Sequence, residues 1–138
     1  KKYSPIGELS DFASQYAESL HKTSGHITCI ADRDTIIAVS GASKKEFLEK
    51  PLSPDLERVI EEKTTLVVRS PEDRAISIIA DENPDRKYSS QVVSPIISEG
   101  DPIGAVILLS TDPNTRMGEV ESKLAQSAAG FLGRQMEQ

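Results

Sequence analysis

Hydrophobic and polar positions are most clearly ordered between residues 92 and 110. Two mostly apolar runs, 92–97 and 103–109, flank the polar segment 98–102, which contains a glycine and a proline. A short turn-forming spacer between two such runs predicts a β-hairpin. The second run has no polar residue, which is typical of a strand covered on both faces of its sheet. We therefore expect helices on both sides of this hairpin.

Helical periodicity marks both ends of the chain. Ser4 and Pro5 are favourable first residues of a helix, and apolar residues then recur at spacings of three and four until Gly25. This first seam consists of Ile6, Leu9, Ala13, Tyr16 and Leu20. A last helix is predicted from about residue 115 to the end, and its small residues around Ala128 favour close approach of a partner helix. Both terminal helices therefore need something to pack against.

The middle of the chain alternates short strands, turns and short helices. Ser-Lys-Lys-Glu at 43–46 matches a capping box, Ser53-Pro54 begins another helix, and 81–87 is the most loop-like stretch. Further strands are predicted at 26–31, 35–39, 66–68 and 75–79. These elements predict an α/β (α+β) fold in one domain, residues 1–138. Its sheet is mostly antiparallel, with helices on both faces and the first and last helices packed together.

Composition argues against several functions. With 22 acidic and 16 basic residues the net charge is −6, so we expect no DNA binding by this domain itself. Every apolar run is well short of the roughly 20 residues that a membrane span needs, so no membrane contact is predicted. The chain opens Lys-Lys-Tyr-Ser-Pro without a methionine, and we expect it to be part of a longer protein.

Signals for catalysis are few, and we predict that the chain is not an enzyme. There is no GxSxG, HExxH or Walker A segment. Cys29 lies in the middle of a predicted strand, where a free cysteine is usually a small buried hydrophobe. Asp32 and Asp34 are interpreted as a hairpin turn rather than as paired catalytic carboxylates. With two histidines and one cysteine, we predict no metal and no cofactor.

One loop is a candidate ligand site. Ser40, Gly41 and Ser43 lead into the predicted capping box, and N–H groups at a helix start attract anions. Apolar residues of the helix from 53 to 63 would wall the site, and 81–87 would act as its lid. We predict an anionic or polar small molecule here. The competing interpretation is that Ser43 only caps its helix.

Several segments carry a family resemblance. The pattern Pro-Ile, loop, Gly-Asp-Pro-Ile-Gly-Ala-Val resembles the last hairpin of GAF domains, which are small sensor modules. More specifically, the chain is similar to the C-terminal domains of stage V sporulation regulators, a family of AbrB-type transcription factors. The similarity is weaker at 61–90. The matching segments are 1–6, 32–34 with 38–41, 100–106, 117–121 and 128–138.

The resemblance implies a transcription regulator that acts in the cytoplasm of the forespore of a spore-forming bacterium. Its DNA-binding part would be an N-terminal swapped-hairpin domain of the AbrB type, which this chain lacks. The first and last helices would lie on one side of the sheet and associate between subunits into a helical bundle. This would make the domain a homodimer and the full-length protein a tetramer.

The residue pattern agrees that the terminal helices need partners. The predicted interface residues are Leu9, Tyr16, Leu20, Leu124, Phe131 and Leu132. The competing interpretation is that both helices simply cover their own sheet, in which case Phe131→Asp would unfold a monomer.

Three functions from different classes follow. The first is a regulatory domain that binds a small effector and transmits its state to the DNA-binding domain. The second is a pure oligomerisation scaffold with a vestigial pocket. The third is an enzyme like the GAF-type methionine sulfoxide reductases, which need several reactive cysteines and therefore fit poorly to Cys29 alone. A pocket lined by converging polar groups between the sheet and 40–63 would favour the first, and a filled one the second.

Overall fold

A computed structural model describes the backbone of residues 5–137 and the side chains of residue 10 and residues 12–137. Over these residues the chain forms four α-helices and five β-strands. In chain order they are α1 (Pro5–Ser24), β1 (Ile27–Ala31), β2 (Ile36–Ser40), α2 (Lys44–Phe47), α3 (Pro54–Glu62), β3 (Leu66–Val68), β4 (Ser90–Ser98), β5 (Asp101–Ser110) and α4 (Glu119–Gln135).

The strands form one sheet in the order β2-β1-β5-β4-β3, with every neighbouring pair antiparallel. The predicted hairpin is confirmed as β4 and β5. Its turn is Glu99 and Gly100, both at positive φ (52° and 85°), the conformation that matches the twist of two-residue hairpins. The turn is shorter than the predicted spacer 98–102, because Pro102 already pairs with Ile97 inside the sheet.

Helices cover both faces of the sheet, as predicted. On one face α1 and α4 lie side by side over an apolar layer. On the other face α2 and α3 pack together with an irregular segment that contains Ile78 and Ile79. The strand β5 lies in the middle of the sheet, and its apolar residues from Ala105 to Leu109 are fully buried. A run with no polar residue is therefore explained by cover on both faces.

The strand predicted at 75–79 is wrong. This segment makes only one isolated bridge, between Ile79 and Leu52. Its backbone is instead satisfied by a side chain: the Ile76 N–H donates to Gln91 Oε1 at 2.7 Å, and Gln91 Nε2 donates to the Ile76 carbonyl at 3.2 Å. Gln91 is fully buried on β4 and takes the place of a neighbouring strand. Apolar residues at 75–79 therefore fill the core without entering the sheet.

The two short helices differ in how they begin. Ser53 caps α3 as predicted, because its side chain accepts the N–H of Leu56 at 3.0 Å. The capping box predicted at 43–46 is wrong: within the described chain, Ser43 is the N-cap residue of α2 but makes no capping hydrogen bond through its side chain. The four residues of α2 are instead held by the burial of Phe47 beneath them.

The last helix begins at Glu119, later than the expected residue 115. Its small residues pack against the sheet of the same chain, which corrects the expectation that they accommodate a partner helix. Gly133 shows this most clearly, since a Cβ there would overlap the carbonyl oxygen of Ile97 on β4. The buried small residues of this face are Ala125, Ala128, Ala129 and Gly133.

Candidate functional site

The predicted ligand residues lie at the end of β2 and the start of α2. Ser40 is the last residue of β2 and lines a small groove of about 320 Å³ beside α1. Gly41 has a positive φ of 90°, and a Cβ there would lie 2.6 Å from the His21 ring. Ser43, whose side chain makes no capping hydrogen bond, follows them at the start of α2. None of these three residues lines the larger cleft described below. A ligand role for them stays a prediction.

The space between the sheet and residues 40–63 is filled by the chain itself. Phe47, Leu56, Ile60 and Ile78 are fully or almost fully buried there, in contact with apolar residues of β4 and β5. By the criterion set from the sequence, this filled layer favours a scaffold. Leu56 and Ile60, expected to wall a ligand site, are core residues.

A cleft opens beside this filled layer, between segment 71–77 on one side and segment 82–89 on the other. Its volume is about 550 Å³, which is within the range of small-molecule sites. Thr111 and Pro113, just after β5, also line it. The similarity to sporulation regulators is weaker in this part of the sequence, and the sequence did not predict this cleft. The signal for it was the cluster of charged residues in the segment expected to be a lid.

A buried charged cluster forms one wall of the cleft. The Glu82 carboxylate, whose side chain is only 7% exposed, accepts hydrogen bonds from the Tyr88 hydroxyl and from Arg86 Nη1 at 3.3 Å. Arg86 also pairs with Glu46 of α2 at 2.5 Å and lies over the Phe47 ring at 4.8 Å. Segment 82–88 is therefore fastened to α2 rather than free as a lid.

Burial and the neighbouring Glu82 carboxylate raise the pKa of Tyr88. Its hydroxyl therefore stays protonated at neutral pH and donates to Glu82. Glu82 also accepts the Ile78 N–H at 2.9 Å, so one carboxylate links segment 82–88 to the residue that directly follows segment 71–77. These hydrogen bonds and ion pairs hold the charged side chains of the cleft in defined positions.

The terminal helices expose an aromatic patch. Phe131 on α4 lies 5.3 Å from Tyr16 on α1, measured between ring centroids. Within the described residues, the large hydrophobic side chains that are exposed are Phe12 (39%), Val120 (69%) and Phe131 (38%), and all lie on α1 or α4. We call Phe12, Tyr16, Val120 and Phe131 the aromatic patch. Phe12 and Val120 belong to the apolar sides of the two predicted helices but were not among the predicted interface residues.

The predicted interface residues separate into two groups. Tyr16, Leu124 and Phe131 remain partly accessible. Leu20 and Leu132 are 7% and 0% exposed inside their own subunit, so neither presents a surface to a partner. Leu9 lies outside the residues whose side chains are described. For Leu20 and Leu132, the competing interpretation that the helices cover their own sheet is the right one.

The remaining chemistry is sparse. Cys29 is fully buried, and burial raises the pKa of its thiol, so it is neither ionised nor accessible at neutral pH. The described residues contain no group of three or more His, Cys, Asp or Glu side chains that could hold a metal ion. In the same part of the chain, no helix has the length and apolar character to cross a membrane.

The antiparallel sheet with helices on both faces is the fold of GAF domains. The GAF domain of an Acinetobacter phosphoenolpyruvate-protein phosphotransferase superposes with a TM-score of 0.74 at 12% identity, covering 93% of this chain and 81% of that one. A type II free methionine-R-sulfoxide reductase from Thermoplasma acidophilum gives a TM-score of 0.65 at 12% identity, covering 93% and 94%. Identities this low show the fold alone.

The sequence resolves the family within this fold. Residues 8–137 match the family described as stage V sporulation protein T C-terminal, transcription factor. Stage V sporulation protein T of Bacillus subtilis (strain 168) is 49% identical over 138 residues, which is 100% of this chain and 74% of that protein. The chain belongs to the stage V sporulation protein T C-terminal family of sporulation transcription factors.

Proposed function

We propose that this domain regulates and oligomerises a sporulation transcription factor. DNA binding would belong to an N-terminal swapped-hairpin domain of the AbrB type, and the present domain would set its oligomeric state. The related Bacillus protein is longer than this chain, which leaves room for such a domain. The net charge of −6 supports assigning DNA contact to another part of the protein. We place the whole protein in the cytoplasm of the forespore.

The observation that carries this proposal is the aromatic patch. Soluble monomers rarely expose contiguous large apolar side chains, and such patches mark interaction sites. The rings of Phe131 and Tyr16 contact each other at a tilt of 37° between α1 and α4, and the exposed Phe12 and Val120 lie on the same two helices. Two copies of this surface would bury it in a dimer of the domain, and the full-length protein would be a tetramer.

Sedimentation of a matched pair of variants tests the dimer. Phe131→Asp places a charge in the patch, whereas Gln126→Asp places one on an exposed position elsewhere on α4. We expect a dimer for the wild type and Gln126→Asp, and a folded monomer for Phe131→Asp. A wild-type chain that sediments as a monomer at high concentration would contradict the proposal. Unfolding by Phe131→Asp would mean that the helices only cover their own sheet.

We propose in addition that a small effector binds the domain and alters its association. The cleft between 71–77 and 82–89 supports this, since its volume suits a small molecule and Glu82 links segment 82–88 to Ile78 at the end of the other segment. The alternative is a scaffold with a vestigial pocket, and the filled space beneath α2 and α3 favours it. A thermal-shift screen against metabolites separates the two, because a ligand of the folded state raises the melting temperature with its concentration.

The same screen covers the site predicted at Ser40, Gly41 and Ser43. Ser40→Val is the suitable variant, because Ser40 lines a groove. Gly41→Leu is unsuitable, because the His21 ring occupies the space that its side chain would need. Regulation in cells by a full-length protein carrying Ser40→Val, if unchanged, would remove this site from consideration.

We propose no catalytic activity for the domain. The family is one of transcription factors, and the reductase among the structural neighbours shares only the fold. Cys29 is buried within the sheet, where no substrate reaches it.

A further inference from the structure

The acidic groups that line the cleft already have partners. Glu82 accepts hydrogen bonds with both carboxylate oxygens, from the Ile78 N–H and from Arg86 and Tyr88. Asp73 Oδ2 accepts the backbone N–H of Arg69 at 3.1 Å. Both oxygens of Glu82 are therefore engaged, whereas Asp73 keeps its negative charge and further acceptor capacity.

Three charged groups that line the cleft form no ion pair within the described chain: the cations Arg74 and Lys87 and the carboxylate of Asp73. Arg74 lies on one wall and Lys87 on the other. The hydroxyl-bearing residues Ser77 and Thr111 line the same space and add hydrogen-bond donors. In a domain with a net charge of −6, these two cations outnumber the one unpaired carboxylate of the cleft, and this local excess of positive charge favours anions.

We infer that the cleft binds a small anion that carries phosphate or carboxylate groups, and that this anion is the effector of the function proposed above, on which the inference rests. The planar guanidinium of Arg74 suits two anion oxygens, and the Lys87 ammonium adds a point charge from the opposite wall. A volume of about 550 Å³ admits a metabolite rather than a macromolecule.

Bridging by the anion has a structural consequence. Segment 71–77 is connected to β4 through the Gln91 side chain at Ile76 and to the start of α3 through the Ser53 hydroxyl, which donates to the Ser77 carbonyl at 2.6 Å. Segment 82–88 is instead fastened to α2. An anion held by Arg74 and Lys87 joins these two separately anchored segments. Binding then rigidifies this end of the domain.

Isothermal titration calorimetry at constant ionic strength tests the inference, with sodium pyrophosphate in one arm and sodium citrate in the other. The test variant is Arg74→Gln with Lys87→Gln. The control variant, Lys22→Gln with Arg58→Gln, removes the same charge from exposed surface pairs outside the cleft. Circular dichroism verifies that both variants are folded.

We expect saturable binding of at least one probe to the wild type and to the control variant. In the cleft variant Kd rises by about tenfold or more, since a hydrogen bond to a charged group contributes at least the roughly 1.4 kcal/mol of one tenfold step. A response to pyrophosphate alone assigns phosphate recognition, and a response to citrate alone assigns carboxylate recognition.

Absence of saturable binding by both probes, or equal binding by all three proteins, overturns the inference. So does a neutral metabolite that binds the wild type and the cleft variant equally in the thermal-shift screen. That last result would leave effector sensing standing while removing the anion. The dimer is measured separately by sedimentation, so its failure is distinguishable from the failure of anion binding.

Discussion

The contact between α4 and β4 predicts that replacing glycine by alanine changes the stability of the domain in opposite directions at two positions of α4. Gly133 is buried, and a Cβ there would overlap the backbone carbonyl of Ile97. Gly130 lies one turn earlier, and a Cβ there would meet only Arg134 Nη1, at 4.0 Å. Gly130→Ala is therefore the matched control for Gly133→Ala.

Both substitutions gain about 1 kcal/mol of helix propensity, because alanine loses less backbone entropy than glycine. Gly130→Ala keeps this gain, since its methyl group meets a flexible side chain. At Gly133 the obstacle is backbone, so either α4 or β4 has to move, and overpacking of this kind costs about 3 kcal/mol. Gly133→Ala should then lose about 2 kcal/mol overall and differ from Gly130→Ala by about 3 kcal/mol.

Urea unfolding followed by circular dichroism measures both variants against the wild type. We expect a lower midpoint for Gly133→Ala and a higher one for Gly130→Ala, with unchanged m-values. A Gly133→Ala variant that is as stable as Gly130→Ala would refute the close approach of α4 to the Ile97 carbonyl. The helix α4 would then lie farther from β4 than the structure shows.

Three further predictions follow from buried groups. Gln91→Leu leaves the Ile76 N–H and carbonyl without their partner, so the free energy of unfolding should fall by about 2 kcal/mol. Hydrogen exchange of the Ile76 amide should accelerate, and an unchanged exchange rate would contradict the contact. Cys29, buried and with a raised thiol pKa, should resist iodoacetamide until urea unfolds the chain, and labelling of the native state would be inconsistent with this burial. For Glu121, burial tends to raise the pKa, but hydrogen bonds from the N-cap N–H of α4 and the His26 ring outweigh it and lower the pKa. The ionised Glu121 should therefore stabilise the fold above its unfolded-state pKa, and this stabilisation should be lost as pH falls through its lowered folded-state pKa. If Glu121→Gln unfolds with the same acid dependence as the wild type, these hydrogen bonds contribute nothing to stability.

Local patterns were sufficient where one short stretch decides the outcome. The hairpin of β4 and β5 follows from two apolar runs and a turn, and Ser53 caps α3 because Pro54 and the following residues suit a helix. The resemblance to sporulation regulators also rested on continuous segments, and the family match at 8–137 confirms it. These features depend on residues close in sequence.

Local patterns failed where a distant group supplies the hydrogen bond or the space. Residues 75–79 have the composition of a strand, but Gln91 on β4 satisfies Ile76 from outside the segment. Ser43 has the sequence of a capping box, and yet α2 depends on burial of Phe47. In each case a long-range contact satisfies the backbone or the apolar group in a way that local propensity cannot anticipate.

The sequence by itself determined that the domain has a two-sided sheet and amphipathic terminal helices, since periodicity reports which residues are apolar. It did not determine what each apolar face meets. Only the tertiary structure assigned Leu132 to the subunit's own core while leaving Phe131 partly exposed, because neighbouring helix positions point about 100° apart and the contact depends on where β4 lies. The same reason explains the cleft: Arg74 and Lys87 are separated in sequence, and only the folded chain places them on facing walls.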